Sequence, residues 1–317
     1  MDSADVRIFC EIAFRSPIYD GYNVRRRGAS EIGRKLGLDE KTVRSRIEQM
    51  ERSGFIKYYQ ATPDLTLFGM RDVGIFRFGT YNLATKFALI DKMQDVPRLI
   101  ESTDYIGLFS TASIAGASPE EVRREADGLT RLFELSTVRL GDWKIKSSSA
   151  RLDRLDWQII KGLRYDARTS DKDLAEKLSV TVRVVGYRTA RLLESGAVNV
   201  KAVINPQKQE GLIFYELEVF SKGQGQREIS MWLRQHFGEK LWNLVNPAEG
   251  VILASLFCFS MAEPEESVMT VLRQDGVARC RLYILKEVIE PKKPNWIDSL
   301  IEFRIGGESE GPKESLG

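Results

Sequence analysis

The feature that most constrains the fold of this chain is a repeat with a constant spacing. Val43 and Arg46 recur as Val185 and Arg188, and the members of each pair lie 142 positions apart, from 43 to 185 and from 46 to 188. The same spacing holds from residue 36, which matches residue 178, to residue 69, which matches residue 211. Repetition of this kind predicts two copies of one structural unit rather than one large unrelated domain.

The best-defined element in the first copy is the stretch DEKTVRSRIEQMERSG, residues 39–54. Val43, Ile47 and Met50 fall at helical spacing and form one apolar stripe. Asp39 is suited to cap the helix start, and Gly54 is suited to the left-handed turn that ends a helix. The stretch is therefore predicted to be an amphipathic helix with cationic and hydroxyl side chains on its outer face.

A shorter helix is predicted immediately before it, from Ala29 to Leu36, with a tight glycine-containing joint between the two. Helix, turn and helix in this order indicate a helix-turn-helix unit, and an earlier helix from Asp5 to Ala13 completes it. The aromatic-rich stretch Phe55–Ala61 is predicted to be a wing strand packed on these helices. The second copy is predicted to repeat the unit over residues 153–202.

Each helix-turn-helix unit is followed by the pattern strand, helix, strand, strand, helix, strand, at residues 72–145 and again at 213–286. This order predicts a ferredoxin-like domain. The fold class is thus α+β, with two winged helix-turn-helix domains alternating with two ferredoxin-like (βαββαβ) sensor domains in one pseudo-dimeric chain. The expected domains are residues 1–66, 67–148, 149–207 and 208–290, followed by a C-terminal tail at 291–317 that is loose except where Trp296–Phe303 could form one short element. The two sensor sheets are expected to pack face to face.

Composition excludes several classes of protein. With 43% hydrophobic and 29% charged residues, the chain resembles an ordinary globular protein, and it lacks apolar runs of roughly 18 residues that would predict membrane spans. Its three cysteines, Cys10, Cys258 and Cys280, are scattered, which favours reduced thiols in the cytoplasm and no metal site. A net charge of +2 does not exclude a local basic surface. No cofactor is expected.

Both copies resemble the Lrp/AsnC family of winged helix-turn-helix transcriptional regulators. The resemblance rests on LDxxDxxII at Leu152–Ile160, on VxxRxxxLLESGAV at Val185–Val198, and on the parallel stretch Glu31–Ile56. It implies a sequence-specific regulator that binds double-stranded DNA, is modulated by a small effector such as an amino acid, and can form a homodimer of the pseudo-dimeric chain. The departure from the family is the fusion of two complete units.

Cationic and hydroxyl side chains on the outer faces of the two recognition helices are the candidate DNA contacts, because such groups reach base edges and phosphates. A solvated charged face is the alternative for each helix. A cluster of three arginines in an insertion between the first two helices is the candidate for phosphate contact, with a solvated loop as its alternative. The candidates are Lys41, Thr42, Arg44, Ser45 and Arg46; Thr181, Arg183, Tyr187 and Arg188; and Arg25, Arg26 and Arg27. Gly186, in the middle of the second helix, predicts that the second copy has the less specific contact.

The effector is expected at two loops of the sensor domains, STDYIG at Ser102–Gly107 and NPAEG at Asn246–Gly250. Asp104 and Glu249 would bind an amine, and the backbone amides near Gly107 and Gly250 would bind a carboxylate. Ordinary turns are the alternative interpretation of both loops.

An enzyme is the rival class, since siroheme decarboxylases share the plan of paired Lrp/AsnC-like halves. The resemblance to that family implies histidine and arginine around a tetrapyrrole. The chain has one histidine, His236, and no catalytic dyad, metal cluster or phosphate-binding glycine loop is recognisable. The sequence therefore predicts no enzymatic activity. A third interpretation is an adaptor that pairs with related regulators without binding DNA.

Overall fold

The computed structural model of the chain describes residues 2–12, 28–145, 150–209, 211–223 and 225–307. Its first half contains helices α1 (Ser3–Ile12), α2 (Ala29–Leu36), α3 (Glu40–Arg52), α4 (Leu83–Met93) and α5 (Pro119–Phe133). The strands of this half are β1 (Ile56–Pro63), β2 (Asp72–Gly79), β3 (Leu99–Tyr105), β4 (Phe109–Gly116) and β5 (Ser136–Lys144). Mixed α and β elements thus occur in the predicted order.

The second half contains helices α6 (Arg154–Leu163), α7 (Asp171–Leu178), α8 (Val182–Glu194), α9 (Gln226–Phe237) and α10 (Glu263–Leu272), and a last helix, α11 (Trp296–Gly306), follows its strands. The strands are β6 (Val198–Ile204), β7 (Ile213–Ser221), β8 (Leu241–Ala248), β9 (Val251–Cys258) and β10 (Val277–Ile289). None of the described helices is long and apolar enough to cross a lipid bilayer.

The local signals that predict α3 are present in the structure. The Asp39 side chain accepts a hydrogen bond from the Thr42 backbone N–H, which satisfies one free donor of the first turn. Val43 and Met50 are buried on one face. Gly54 follows the helix with a φ of +76°, a left-handed conformation that costs glycine little. The helix predicted between Asp39 and Gly54 is therefore confirmed.

The predicted wing strand has a different partner from the one expected. β1 pairs antiparallel with β6, and the ladder runs from Ile56 opposite Ile204 to Pro63 opposite Val198. Instead of packing only on the helices of its own unit, each strand forms a two-stranded ribbon with the strand of the other half. This β1–β6 ribbon joins the helical region that contains α3 to the one that contains α8.

The other eight strands form one sheet in the order β5-β2-β4-β3-β10-β7-β9-β8. The two sets of four strands meet edge to edge at an antiparallel seam, where Tyr105 of β3 lies opposite Leu285 of β10. At the far ends, β5 and β8 also approach each other: a Cβ atom on Gly141 would lie 1.9 Å from the Pro247 backbone oxygen. The sheet therefore closes on itself.

Closure brings the inner faces of the two strand sets together. Ile75 and Leu140 from the first set form one buried cluster with Val245 and Leu253 from the second. The predicted contact between the two faces is thus present, but the expected pair of separate sheets is replaced by one sheet with a hydrogen-bonded seam. The sequence pattern could not show this seam, because edge pairing depends on backbone groups that every residue carries.

A buried ion cluster also spans the interior. Arg77 of β2 contacts the carboxylates of Glu216 at 3.1 Å and Glu218 at 2.7 Å, both on β7, which is four strands away in the sheet order. Tyr105 donates to Glu216, and the Arg77 guanidinium lies 3.8 Å from the centre of the Tyr283 ring. Burial raises the pKa of Glu216 although Arg77 acts in the opposite direction. These contacts couple the two halves through charge as well as apolar packing.

The end of the described chain is a packed helix, which begins at Trp296, where the sequence allowed one short element in an otherwise loose tail. Ile297 and Ile301 of α11 are buried in the same core as the helix-turn-helix units. Arg164 at the end of α6 contacts Asp298 at 3.0 Å, and the Trp296 indole N–H donates to the Leu99 carbonyl. α11 thus connects the second helix-turn-helix unit to the sheet.

We expect Gly141→Ala to destabilise the fold by about 2–4 kcal/mol, because the added methyl group would force β5 away from β8. The free energy of unfolding in urea measures the effect. Gly128→Ala is the matched control: this glycine lies within α5 with no atom within 4 Å of an added Cβ, so the change should stabilise by about 0.5–1 kcal/mol. Equal stability of the two variants would show that the β5–β8 approach is not tight.

Candidate functional site

The first recognition helix presents part of its predicted contact surface to solvent. Lys41, Arg44 and Ser45 of α3 are exposed. Arg44 forms a pair with Glu40 one turn away at 2.6 Å, and because such an exposed pair stabilises little, its guanidinium can exchange Glu40 for another anion. The Thr42 hydroxyl donates to Asp39 and so belongs to the helix cap.

Arg46, a candidate DNA contact on the same helix, has a structural role instead. Its guanidinium contacts Asp2 at 2.8 Å and Asp5 at 2.7 Å at the start of α1. The hydrogen bond to Asp5, and to a smaller extent the hydrogen bond to Asp2, raises the pKa of Arg46. Both carboxylates would be left without their cation if Arg46 turned toward DNA, so its assignment as a base or phosphate contact is corrected.

Arg188 in α8 repeats this arrangement. It contacts Asp153 at 2.6 Å and the buried Asp156 at 3.0 Å, and Arg191 contacts Asp156 at 2.5 Å. The two aspartates also form the capping box that starts α6. The hydrogen bond from Arg188 holds the pKa of Asp153 below its usual range. Arg188 therefore fixes the recognition helix to the first helix of its unit, and this prediction is corrected as well.

The rest of α8 differs from α3 in polarity. Thr181 is the N-cap and accepts from the Val184 N–H, whereas Arg183 is exposed. Tyr187 is 69% exposed, and Val182 is 49% exposed on the same helix. Of the predicted contacts on this helix, Thr181, Arg183 and Tyr187 remain accessible, but they share the surface with apolar side chains.

Gly186 lies where α8 passes closest to the start of α7. A Cβ atom there would lie 3.1 Å from an Asp171 carboxylate oxygen, so the glycine allows the two helices of the motif to approach. From the sequence, Gly186 was expected to make the second helix the less specific contact, and the structure gives this glycine a role in helix packing. Arg25, Arg26 and Arg27 lie outside the described residues, and their phosphate contact stays a prediction.

The predicted effector residues of the first sensor domain are already engaged. Asp104 is fully buried and its carboxylate is bound by Lys86 at 2.6 Å and by Lys286 at 2.9 Å. The Gly107 carbonyl accepts from the same Lys86 at 2.6 Å. Because residues 102–105 belong to β3, the carboxylate points into the protein rather than into a loop, so Asp104 is not an accessible effector ligand.

The second predicted effector loop is similar. Residues 246–248 belong to β8, and the Gly250 N–H donates to the Gln226 side chain at 3.2 Å. Glu249 is exposed at the tip of the turn. The Gly250 amide is therefore not free for a carboxylate, and these residues form an ordinary turn between β8 and β9.

The structure shows a cavity that the sequence did not predict. It has a volume of about 500 Å³ and lies between the β1–β6 ribbon and the inner face of the sheet. Gln60 and Lys201 line it from the ribbon, Ser113 and Asn243 from the sheet, and Lys293 from the segment before α11. Since these residues come from widely separated elements, they have no common spacing that a sequence motif could reveal.

Comparison with known proteins gives one match in the sequence. Residues 152–193 match the AsnC-type helix-turn-helix domain. The chain contains an AsnC-type helix-turn-helix domain. The matched range covers α6 with its cap, all of α7, and α8 to within one residue of its end. No curated protein matches the chain.

Among solved structures, two of the siroheme decarboxylase NirDL are similar over 95% of this chain and 98% of theirs, at 11% identity and with TM-scores of 0.53 and 0.54. One of them is a co-complex with an iron-uroporphyrin III analogue. AsnC of E. coli is similar over 43% of this chain and 92% of its own, at 14% identity and with a TM-score of 0.36. Because so few residues are identical, the likeness to NirDL establishes the fold alone.

The likeness to NirDL overturns one expectation from the sequence. The absence of recognisable catalytic motifs predicted that the chain is not an enzyme, yet the structures that resemble it over 95% of its length are those of an enzyme. The absence of a recognisable motif does not exclude a site formed by residues that lie far apart in the sequence. An enzymatic function is thus a candidate for this chain.

We expect Arg46→Ala to lower the free energy of unfolding by about 1–3 kcal/mol, because Asp2 and Asp5 lose their shared cation. Arg44→Ala, on the exposed face of the same helix, is the control and should change stability by less than about 0.5 kcal/mol. Urea unfolding of both variants is the measurement. Equal losses would contradict the structural role assigned to Arg46.

Proposed function

We propose that the chain is a DNA-binding transcriptional regulator built from two duplicated units that share one ribbon. The β1–β6 pairing carries this proposal, because it holds two helix-turn-helix units in one fixed relation. The proposed domains are those of the sequence analysis, with residues 291–307 included in the packed structure. A regulator of this design would bind a DNA site with two half-sites.

The positions of the elements support an internal duplication. α2 at 29–36 and α7 at 171–178 differ by 142 positions, as do α3 at 40–52 and α8 at 182–194, and β4 at 109–116 and β9 at 251–258. The ribbon has the same spacing. Tyr59 pairs with Ala202, and Gln60 pairs with Lys201. Because positions 59 and 60 correspond to positions 201 and 202 in the other half, the shift of 142 turns each pair into the other. This exchange is what a two-fold axis through the ribbon requires.

A two-fold arrangement matters for DNA because a palindromic site repeats with opposite strand direction. Two recognition helices related by such an axis can enter successive turns of the major groove. In a covalently fused chain the two halves need not be identical. The sequence of the site can then differ between its halves.

The two recognition surfaces do differ. Lys41, Arg44 and Ser45 give α3 hydrogen-bonding groups that suit base edges and phosphates. α8 retains Arg183 but exposes Val182 beside it. We therefore propose that the first unit supplies most of the sequence specificity and that the second adds phosphate and apolar contacts.

Arg44→Ala should weaken binding to a selected DNA site by about 1–3 kcal/mol, and Arg183→Ala should weaken it less. Selection of bound sequences from genomic DNA supplies the site, and fluorescence anisotropy at fixed salt measures affinity. Arg131→Ala is the control, since this exposed arginine lies on α5 in the sensor region. Equal losses for Arg44 and Arg183 would remove the asymmetry, and absence of any specific binding would refute the regulator.

An enzyme is the second candidate, and the likeness to NirDL over 95% of this chain favours it. The cavity lining does not fit an iron porphyrin with carboxylate side chains. Its charged residues are three cations and four acids: Arg164, Lys201 and Lys293, and Asp64, Glu101, Glu216 and Glu290. A polycarboxylate would meet no excess of positive charge there.

Ligands for iron are also missing from this lining, as far as the described residues form it. His236, the one histidine of the sequence, stacks on Trp232 in α9 and does not line the cavity. Tyr105 and Tyr215 line it, but their hydroxyls bond Glu216 and Ser267, and burial raises the pKa of both tyrosines.

We expect no shift in the absorption spectrum of iron uroporphyrin when the protein is titrated into it, because the lining offers neither an iron ligand nor a surplus of cations. Absorbance across the Soret region at increasing protein concentration is the measurement. A saturable shift would favour the second candidate.

A further inference from the structure

The cavity beside the β1–β6 ribbon has features of a binding site. The six residues on one face of the ribbon are in directly opposite pairs: Tyr58 with Val203, Gln60 with Lys201, and Thr62 with Asn199. All of these except Tyr58 line the cavity. The opposite wall is the inner face of the closed sheet. The volume of about 500 Å³ lies in the range of pockets that hold small organic molecules.

Two polar atoms in the lining have no hydrogen-bond partner among the described residues. They are Oδ1 of Asn199, whose residue is only 7% exposed, and the indole Nε1 of Trp242. Buried polar groups are almost always paired, because leaving one unpaired costs about 1–3 kcal/mol. Both residues line the cavity, so a molecule bound there that offers a donor and an acceptor is the candidate partner for these two atoms.

Two of the three cations in the lining already pair with an acid, which restricts the charge of that molecule. Lys201 contacts Glu101 at 3.1 Å, and Arg164 contacts Asp298 at 3.0 Å. Lys293 lies over the Tyr58 ring, with its Nζ 3.3 Å from the ring centre, and burial lowers its pKa. Since the lining carries three cations and four acids, an anionic ligand would meet no surplus of positive charge.

The uncharged part of the lining combines hydroxyl and amide groups with flat and aliphatic surfaces. Its hydrogen-bonding members include Thr62, Thr103, Thr111, Ser113, Asn243 and Ser255. Trp242 and Leu253 supply apolar surface on the sheet side. A ring system with several hydroxyl or amide groups matches both kinds of surface.

We propose that this cavity binds an uncharged, hydrogen-bonding ring compound of about the size of a nucleoside. Asn199 accepts a hydrogen bond from it, and the Trp242 indole donates one to it. Because the ribbon forms the floor, an occupant contacts the element that holds both helix-turn-helix units. An effect of this ligand on DNA binding would rest on the proposed function, whereas binding of the ligand to the cavity does not.

Isothermal titration calorimetry of the full chain without DNA tests the proposal. The probes are adenosine, guanosine, cytidine and uridine at up to about 1 mM, each compared with its 5′-monophosphate. We expect at least one nucleoside to bind, and its monophosphate to bind at least about tenfold more weakly, since a buried charge without a partner is costly. Failure of all four nucleosides to bind would overturn the proposal, and so would tighter binding of the monophosphates.

Two variants assign the site. Asn199→Leu and Trp242→Phe should each weaken binding of that nucleoside by about fivefold or more, because each removes one hydrogen-bonding atom. Trp232→Phe, on α9 outside the cavity, is the matched control and should leave binding unchanged. Thermal unfolding of the free proteins is the second readout: both variants should show one cooperative transition, and Trp242→Phe should lower the melting temperature because the smaller ring loses packing against Phe214. Unchanged binding in both variants would overturn the assignment to this cavity.

Discussion

The antiparallel ladder between β1 and β6 is the constraint on which the rest of the structure depends. It joins a strand of the first half to a strand of the second, so neither helix-turn-helix unit has a complete wing without the other half. The backbone hydrogen bonds of this ladder therefore set the distance between the two units. The same ladder supplies one wall of the cavity, so the element that joins the two halves is also one that a molecule in the cavity would contact.

The interior of the sheet shows a second form of interdependence. Apolar side chains of the strands face the covering helices, whereas the inner face carries Arg77, Glu216 and Glu218. Removing one of these charges would leave the others buried without compensation, which costs far more than an exposed pair contributes. A buried charge cluster of this kind adds little net stability, but it favours one arrangement of the strands over others. It sets how the two strand sets face each other, and so it sets the shape of the cavity.

Elements with strong local signals could be predicted from the sequence, and their partners could not. The start and end of α3 follow from Asp39 and Gly54, because capping and left-handed turns depend on the residues themselves. Asp104 shows the limit: a carboxylate near a glycine resembles a ligand site, but the lysines that neutralise it come from α4 and from β10 of the other half. The structural roles of Arg46 and Arg188 could not be predicted for the same reason, because the aspartates that each arginine contacts lie at the start of another helix.

The two seams of the closed sheet are not equivalent. A shift of 142 positions relates β3 to β8 and β5 to β10, so a symmetric pair would treat the β3–β10 and β8–β5 contacts alike. Among the described strands, only the first contact is a hydrogen-bonded ladder; at the second, Gly141 lies against the Pro247 backbone without strand pairing. Identical subunits would have had both seams paired or neither. A single covalent chain is free of this requirement, so residues at one seam can be substituted without a matching change at the other.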